Sequence, residues 1–145
     1  MDINNKYETV NTHNLVRMEH SVLLIVMAGV AALNYESINW YLFNALFWGI
    51  DLFGFYPGMV YYKYINKNVP KIFYVIYNTS HSYLTWTVFS VAWVYFYGFD
   101  YVLLAPWMHL MADRGLFGNT LRPFHVAFNV EKNEHFKKFE NTLYK

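Results

Sequence analysis

Residues 107–114 read Trp-Met-His-Leu-Met-Ala-Asp-Arg and close a strongly apolar run. On a helix, His109 and Asp113 lie on the same face, because side chains four residues apart are neighbours. Ionisable side chains within a lipid-embedded segment are costly and usually mark a functional site. The stretch therefore predicts a site inside a helical bundle, and the groups elsewhere in the chain that could meet it are Glu19, Asp51 and His81.

The composition points to a membrane protein of one domain. Of the 145 residues, 56% are hydrophobic, 22% are aromatic and only 14% are charged, which is too apolar for a small soluble fold. The net charge of +1 and the lack of a basic patch give no indication of a nucleic-acid partner. Because the chain has no cysteine, disulfides and thiolate metal sites are excluded, which leaves His, Asp and Glu as candidate ligands.

Four apolar runs predict an all-α, polytopic membrane bundle with four transmembrane helices. The runs are residues 15–33, 38–62, 72–97 and 101–112. The first three can each span a hydrocarbon core of about 30 Å, and we expect Pro57 and Pro106 to kink or interrupt their helices. The predicted divisions are a polar N-terminal segment, 1–14, the four-span bundle, 15–113, and a cytoplasmic surface segment with an amphipathic helical tail, 114–145.

The basic residues give an independent indication of topology. Four spans place all eleven Lys and Arg on one side and leave the two opposite loops without any. By the positive-inside rule, both termini then face the cytoplasm. At about 1.5 Å per residue, Asp51 lies roughly 18 Å from Lys63 along the helix and His81 roughly 15 Å from Lys71, so both reach the inner half of the bundle.

Helical bundles build metal sites from ligands that project inward from different helices. The sequence therefore predicts a divalent metal ion, Zn, Mn or Fe, held by Asp51, His81, His109 and Asp113. An unpaired Asp51 in mid-membrane would be expensive, so it should be protonated, paired or metal-bound. Glu19 is a further candidate, as ligand or general base.

Structural alternatives remain open for each of these groups. In the alternative to metal binding, His109 is a core histidine hydrogen-bonded to Asp113, and Arg114 neutralises the Asp113 carboxylate. His81 would make interhelical hydrogen bonds, as polar residues commonly do in membranes. Glu19 would pair with a surface arginine, and Arg122 and His125 would be surface residues instead of approaching an anionic substrate.

The order of the polar motifs resembles one family of small bacterial membrane proteins, the domain of unknown function DUF4260, over about residues 15–128. The matching motifs are Arg17-x-Glu19, Asp51, Tyr77-Asn78-x-x-His81 and His109-x-x-x-Asp113-Arg114. The chain departs from the family pattern at Ile50, where proline is usual, and across residues 115–123. The resemblance implies a helical protein of a bacterial inner membrane.

Three of these motifs are also similar, more distantly, to those of the YdjM-like membrane-bound metal-dependent hydrolases. They are Asp51, Ser80-His81-Ser82 and His109-x-x-x-Asp113. This similarity implies a metal-dependent hydrolase on an all-helical membrane scaffold. It is an analogy of fold and motif, which by itself does not define a reaction.

The predicted function is hydrolysis of an ester or phosphoester in an amphipathic substrate that enters from the inner leaflet, by water made acidic by the ion. Glu19, Asp51 and Asn78 are the predicted catalytic groups, and Arg114 or Arg122 would hold an anionic part of the substrate. Membrane lipids are the expected surroundings. Two alternatives stay open: a proton or metal carrier or structural subunit without enzymatic activity, and a metal-dependent oxidation of lipid.

Overall fold

The computed structural model of the chain describes residues 9–124, 127–129 and 134–143. All regular structure within these ranges is helical, and no strand occurs in them, which confirms the all-α class. The helices are α1 Val10–Leu33, α2 Trp40–Gly54, α3 Tyr56–Tyr64, α4 Lys71–Ser80, α5 Tyr83–Tyr97, α6 Leu104–Ala112 and α7 Glu134–Leu143. Short 3-10 turns cover Tyr35–Ser37 and Tyr101–Leu103, and a π-helical turn, Asp113–Phe117, continues α6.

Side-chain caps define where several helices begin. The Thr9 side chain accepts a hydrogen bond from the Thr12 amide, so α1 starts at Val10, earlier than the expected start of the apolar run at residue 15. The side chains of Asn39 and Ser82 cap α2 and α5 in the same way. The tail prediction holds over Glu134–Leu143, which is a helix; residues 131–133, 144 and 145 lie outside the described ranges.

Two of the runs expected to be spans are each divided into two helices, and the break in run 38–62 agrees with the interruption expected near Pro57. Run 38–62 breaks at Phe55, so Pro57 lies in the first turn of α3, where its missing amide hydrogen is no loss. Run 72–97 breaks at His81, because Ser82 starts α5 as a capping residue. Pro106 likewise lies in the first turn of α6, so the expected interruption of that helix does not occur.

Helix α6 lies in the interior of the bundle. It packs against α1, α2 and α5, and α2 also packs against α4. Two apolar clusters support this arrangement. The first core cluster consists of Ala31, Ile38, Phe43 and Ala105, and the second of Val69, Tyr74, Tyr77 and Phe128.

Much of the molecular surface is apolar. Along α1, Leu15, Ile25 and Val26 are more than half exposed, and Ala31 is the buried residue of that helix. Among the described residues, α1 is the one helix long and apolar enough by itself to cross a membrane. The breaks at Phe55 and His81 shorten the helices that the other predicted spans contain.

Candidate metal centre

Two imidazoles and two carboxylates meet where α2, α4 and α6 come together. Asp51 lies in the last turn of α2, His81 is the C-cap residue of α4, and His109 is on α6. Asp113 is the first residue of the π-helical turn that follows α6, and such turns often occur at functional sites. The structure thus brings together the four predicted ligands, and the histidine pair is buried.

The donor atoms face one another across a shared space. His81 Nε2 is 3.3 Å from Asp51 Oδ1 and 3.5 Å from Asp113 Oδ2. His109 Nε2 is 3.8 Å from each of the same two oxygens. One ligand atom each from Asp51, His81 and His109 lies within 4.8 Å of the others, which is close enough to hold a metal ion.

The His81 ring is oriented by its own helix. Its Nδ1 is 3.0 Å from the carbonyl oxygen of Tyr77 and 3.0 Å from Ser80 Oγ, and the Tyr77 ring stacks on it at a centroid distance of 3.9 Å. If the neutral ring donates from Nδ1 to that carbonyl, Nε2 presents a lone pair to the space between the carboxylates. Hydrogen bonding of the second ring nitrogen in this way is typical of metal-ligating histidines.

His109 has a similar arrangement on the opposite side. Its ring makes an edge-to-face contact with the Phe47 ring at a centroid distance of 5.1 Å. The buried Nε2 has no hydrogen-bond partner, since both carboxylate oxygens lie beyond hydrogen-bonding distance at 3.8 Å. A buried ring nitrogen in this state is costly unless a proton donor or a cation satisfies it.

The spacing and chemistry of the donors fit a divalent ion. Four donors bound to a tetrahedral zinc at about 2.05 Å stand about 3.3 Å apart, and the four measured nitrogen-to-oxygen distances are 3.3 to 3.8 Å. Two imidazoles with two carboxylates form a donor set that suits Zn, Mn or Fe. Asp51, His81 and His109 form the group whose ligand atoms all lie within 4.8 Å of one another, and Asp113 lies beside this group.

The two helix breaks face each other at this centre. A Cβ built on Gly54, the last residue of α2, would collide with Ser80 Oγ and would lie 3.0 and 3.2 Å from two atoms of the His81 ring. Only glycine therefore allows the end of α2 to approach the end of α4 this closely. Pro57 predicted the first break from the sequence, but the sequence did not predict the second break and did not identify Gly54 or Ser80 as supports of His81.

Arg114 lies against the centre and does not neutralise Asp113 in a direct ion pair among the contacts described. Its Nη2 donates to the His81 carbonyl at 3.2 Å, and its guanidinium carbon lies 3.6 Å above the Tyr83 ring. Its Nη1 is buried and has no hydrogen-bond partner. The predicted role of Arg114 in binding an anion remains a prediction.

Arg122 is buried, which differs from the surface position considered above. Its guanidinium carbon lies 4.5 Å from the Tyr77 ring centre and 4.5 Å from that of Phe128. Asn78 fixes the Arg122 backbone through two hydrogen bonds, accepting from its amide at 2.7 Å and donating to its carbonyl at 2.9 Å. The Asn78 amide is thus engaged in holding this segment, and a catalytic role for it stays a prediction.

Glu19 is exposed on α1 and is not part of the group of candidate ligands found among the described residues. Its neighbour Arg17 does contact the end of α6, a contact not anticipated: Nε donates to the Gly115 carbonyl at 3.1 Å and Nη2 to that of Leu116 at 2.7 Å. These bonds satisfy carbonyl groups at the end of a helix. His125 lies outside the described residues.

No family model, curated protein or solved structure matches the chain. The similarity to DUF4260 and to the YdjM-like hydrolases therefore rests on the quoted motifs and remains a prediction.

Proposed function

We propose that this chain is a membrane-embedded metalloprotein in which a divalent ion held by Asp51, His81 and His109, with Asp113 as the neighbouring base, hydrolyses an ester or phosphoester of an amphipathic substrate. The observation that carries the proposal is the set of four donor atoms, from three helices and the π-helical turn, separated by 3.3 to 3.8 Å in adjacent histidine–carboxylate pairs. The unpartnered Nε2 of His109 is the second support, because it needs a cation or a proton donor.

The exposed apolar surface supports the membrane part of the proposal. Large exposed apolar patches on a protein mark contact with lipid or another protein, and here exposed aliphatic or aromatic side chains occur on every helix from α1 to α5. Joined across their breaks, α2 with α3 and α4 with α5 would supply two further crossings. Irregular backbone at membrane depth is tolerated where protein buries it, and both breaks lie against the buried centre.

The side chains divide into ligands and a base. Asp51, His81 and His109 are the three that would hold the ion, and catalytic zinc sites commonly use three protein ligands. When bound, a divalent ion makes a water molecule acidic enough to act as a nucleophile near neutral pH. Asp113 lies within 3.8 Å of both histidines and would take the water proton.

In the proposed reaction, Asp113 first accepts a proton and then returns it. The oxygen of water forms a bond to the acyl carbon or to phosphorus as the ester bond breaks. The proton accepted by the Asp113 carboxylate passes to the departing alcohol oxygen, which restores the carboxylate. Glu19 is not needed as a base in this scheme, since it is exposed on α1.

The same donor set favours a second candidate, an ion site without catalysis in a carrier or structural subunit. Four protein ligands around a tetrahedral ion leave no open position, which is typical of structural sites. The two candidates differ in the role of Asp113, which is a base in the first and a fourth ligand in the second.

Asp113→Asn tests the assignment, with Glu36→Gln as an exposed acidic control. Purified protein is assayed for metal content and for hydrolysis of carboxylic esters and phosphoesters, with and without chelator. If Asp113 is the base, D113N keeps the ion and loses turnover by about a hundredfold or more, while E36Q is unchanged. Loss of the ion in D113N favours the non-catalytic site, and turnover that resists both chelator and Asp51→Ala contradicts the hydrolase.

A further inference from the structure

An open groove of about 470 Å³ lies between α1 and the π-helical turn that follows α6. Its lining residues come from the first half of α1 and from the turn: Asn14, Arg17, Met18, Ser21, Gly115 and Leu116. Asn14, Met18 and Leu116 are exposed, so the groove is accessible from the surface. Among the described residues that line it, none is acidic, and Arg17 supplies a positive charge.

Arg17 has donors available for a further partner. Its Nε and Nη2 each donate one hydrogen bond to the turn, to the Gly115 and Leu116 carbonyls. A guanidinium has more N–H groups than these two bonds use. Within the part of the chain that the structure describes, no carboxylate forms an ion pair with Arg17, and Glu19 is exposed on the same helix. The groove therefore contains a cation whose charge no described residue neutralises.

The turn holds the Arg17 side chain in one place. Besides the two hydrogen bonds, Gly118 packs against it: a Cβ on Gly118 would lie 3.6 Å from both Cδ and Nε of Arg17. Gly118 has a left-handed backbone with a φ of 70°, which favours glycine at this position. Because the guanidinium is already fixed, little side-chain freedom remains to be lost when an anion binds.

A second polar group lies on the same side of α1. Asn14 precedes Arg17 by three residues, so the two side chains are neighbours on the helix surface. The Asn14 side chain has no hydrogen-bond partner among the described residues, and its amide can donate to an oxygen in the groove. Arg17 and Asn14 together offer charged and neutral N–H groups, which suit the oxygens of a phosphate.

The surroundings of the groove favour a phosphate that carries hydrocarbon chains. Leu15 and Met18 on α1 are more than half exposed, and so are Leu116 and Phe117 on the turn. A free phosphate would contact only the polar groups, whereas the acyl chains of a lipid would also cover these apolar side chains. In the predicted topology Arg17 lies at the cytoplasmic end of α1, where basic pockets between helices bind anionic headgroups.

We propose that this groove binds the headgroup phosphate of one anionic phospholipid from the cytoplasmic leaflet. The phosphate oxygens accept hydrogen bonds from Arg17 and Asn14, and the acyl chains lie along Met18 and Leu116. Because Arg17 is itself bonded to the turn, the bound lipid strengthens the contact between α1 and the end of α6. The inference shares the membrane location with the proposed function, but it needs no ion, since no candidate metal ligand lines the groove.

The test measures lipid binding to the full chain in a neutral detergent, with chelator present, by native mass spectrometry. Phosphatidylglycerol and phosphatidylcholine with the same acyl chains are compared. We expect one phosphatidylglycerol per chain, bound about fivefold or more tightly than phosphatidylcholine. Arg17→Gln should weaken that binding by about tenfold, because charge-assisted hydrogen bonds are lost. Lys67→Gln removes the same charge at an exposed loop position on the same predicted side of the membrane and should leave binding unchanged.

A second variant leaves the contacts of Arg17 with the turn in place. Asn14→Asp adds a negative charge at an exposed position of the groove and should weaken binding of phosphatidylglycerol by about tenfold through repulsion. Asn68→Asp adds the same charge in the exposed part of the 65–70 segment and should have no effect. If R17Q does not fold, N14D and N68D still decide the question.

A third arm distinguishes a lipid from a soluble phosphate. Glycerol phosphate, which has the charged group without acyl chains, is added at the same concentration as phosphatidylglycerol. The lipid should remain bound. Displacement of the lipid by an equal concentration of glycerol phosphate would identify a soluble ligand and overturn the lipid site.

The remaining outcomes separate this inference from the proposed function. Equal binding of the two lipids overturns the groove, as does equal loss in R17Q and K67Q, or binding that N14D leaves unchanged. Lipid that binds only when the metal ion is present lies at the metal centre, which also overturns the groove. Protein that takes up no ion but keeps the preference for phosphatidylglycerol overturns the proposed function alone.

Discussion

Helices α5 and α6 are similarly apolar and lie against each other, yet only α6 belongs to the interior. Helix α5 has no buried residue, and its exposed side chains include Leu84, Val88, Val91 and Tyr95. Helix α6 buries Ala105, Pro106, His109, Leu110 and Met111. Apolar character therefore does not show which helix of this chain packs against others and which faces outward.

The difference lies in small and polar residues. In lipid, apolar side chains gain little by leaving the surface, so helices associate through close packing and polar contacts. Ala105 is fully buried, and a Cβ on Gly115, just beyond α6, would lie 2.6 Å from Ser21 Oγ on α1. The α6 region thus combines a close backbone approach to α1 with the ligand pair His109 and Asp113, whereas α5 carries no candidate ligand and meets α6 through contacts such as the hydrogen bond from Trp107 Nε1 to Ser90 Oγ at 3.2 Å.

The largest expected effect is loss of the ion when a ligand on α6 is removed. His109→Ala should reduce metal affinity by at least about a hundredfold, because even partners outside the coordination sphere contribute about tenfold to a hundredfold. Val91→Ala on α5 is the control, since that side chain is 65% exposed. Metal content after dialysis against graded chelator measures both; equal affinity in H109A and V91A would contradict the assignment.

The second largest effect is expected from core packing, which should make α6 more sensitive than α5 to the loss of a leucine side chain. Leu110 is 1% exposed and Leu84 is 73% exposed. Leu110→Ala should lower the free energy of unfolding by about 2 to 5 kcal/mol through the cavity it leaves, whereas Leu84→Ala should change it by less than about 0.5 kcal/mol. Unfolding in detergent gives both values, and similar losses would mean that α5 is packed as tightly as α6.

The two glycines of α2 should also differ, because Gly54 packs closely against α4 and Gly49 faces open space. Gly54→Ala should destabilise the protein by about 1 to 3 kcal/mol and weaken metal binding, because the new methyl group collides with Ser80 and presses on His81. Nothing lies within 4 Å of a Cβ at Gly49, so Gly49→Ala should be neutral or slightly stabilising. Thermal unfolding and metal titration of the two variants measure these effects. Unchanged stability and metal binding in G54A would contradict the close approach of α2 to α4.

The smallest effect is expected at Asn78. Asn78→Ala removes two hydrogen bonds to the Arg122 backbone and should lower stability by about 1 to 2 kcal/mol, with the metal content unchanged. Turnover per bound ion decides its role. A loss of more than about a hundredfold would restore the predicted catalytic function of Asn78.

From the sequence it was possible to predict which ionisable side chains lie close together; that they bind a metal ion remains a prediction. The spacing of four residues placed His109 and Asp113 on one helix face. The similar distances of Asp51 and His81 from the basic loops placed these two residues at a similar depth in the bundle. Glu19 could not be placed, because the polar residues around it, Arg17, His20 and Ser21, do not show which face of α1 turns inward. Pro57 predicted a break in run 38–62, whereas no proline predicted the break at His81, and the close approach of α2 to α4 beside both breaks depends on Gly54 meeting Ser80. The fourfold crossing of a membrane remains a prediction.

The most direct test of the centre is X-ray absorption at the metal edge of purified full-length protein loaded with Zn²⁺. The structure predicts one ion per chain with two imidazole nitrogens and one or two carboxylate oxygens at about 2.0 to 2.1 Å, and one imidazole fewer in His81→Ala. Folded protein that holds no ion after loading, or an ion whose spectrum lacks histidine, would contradict the account.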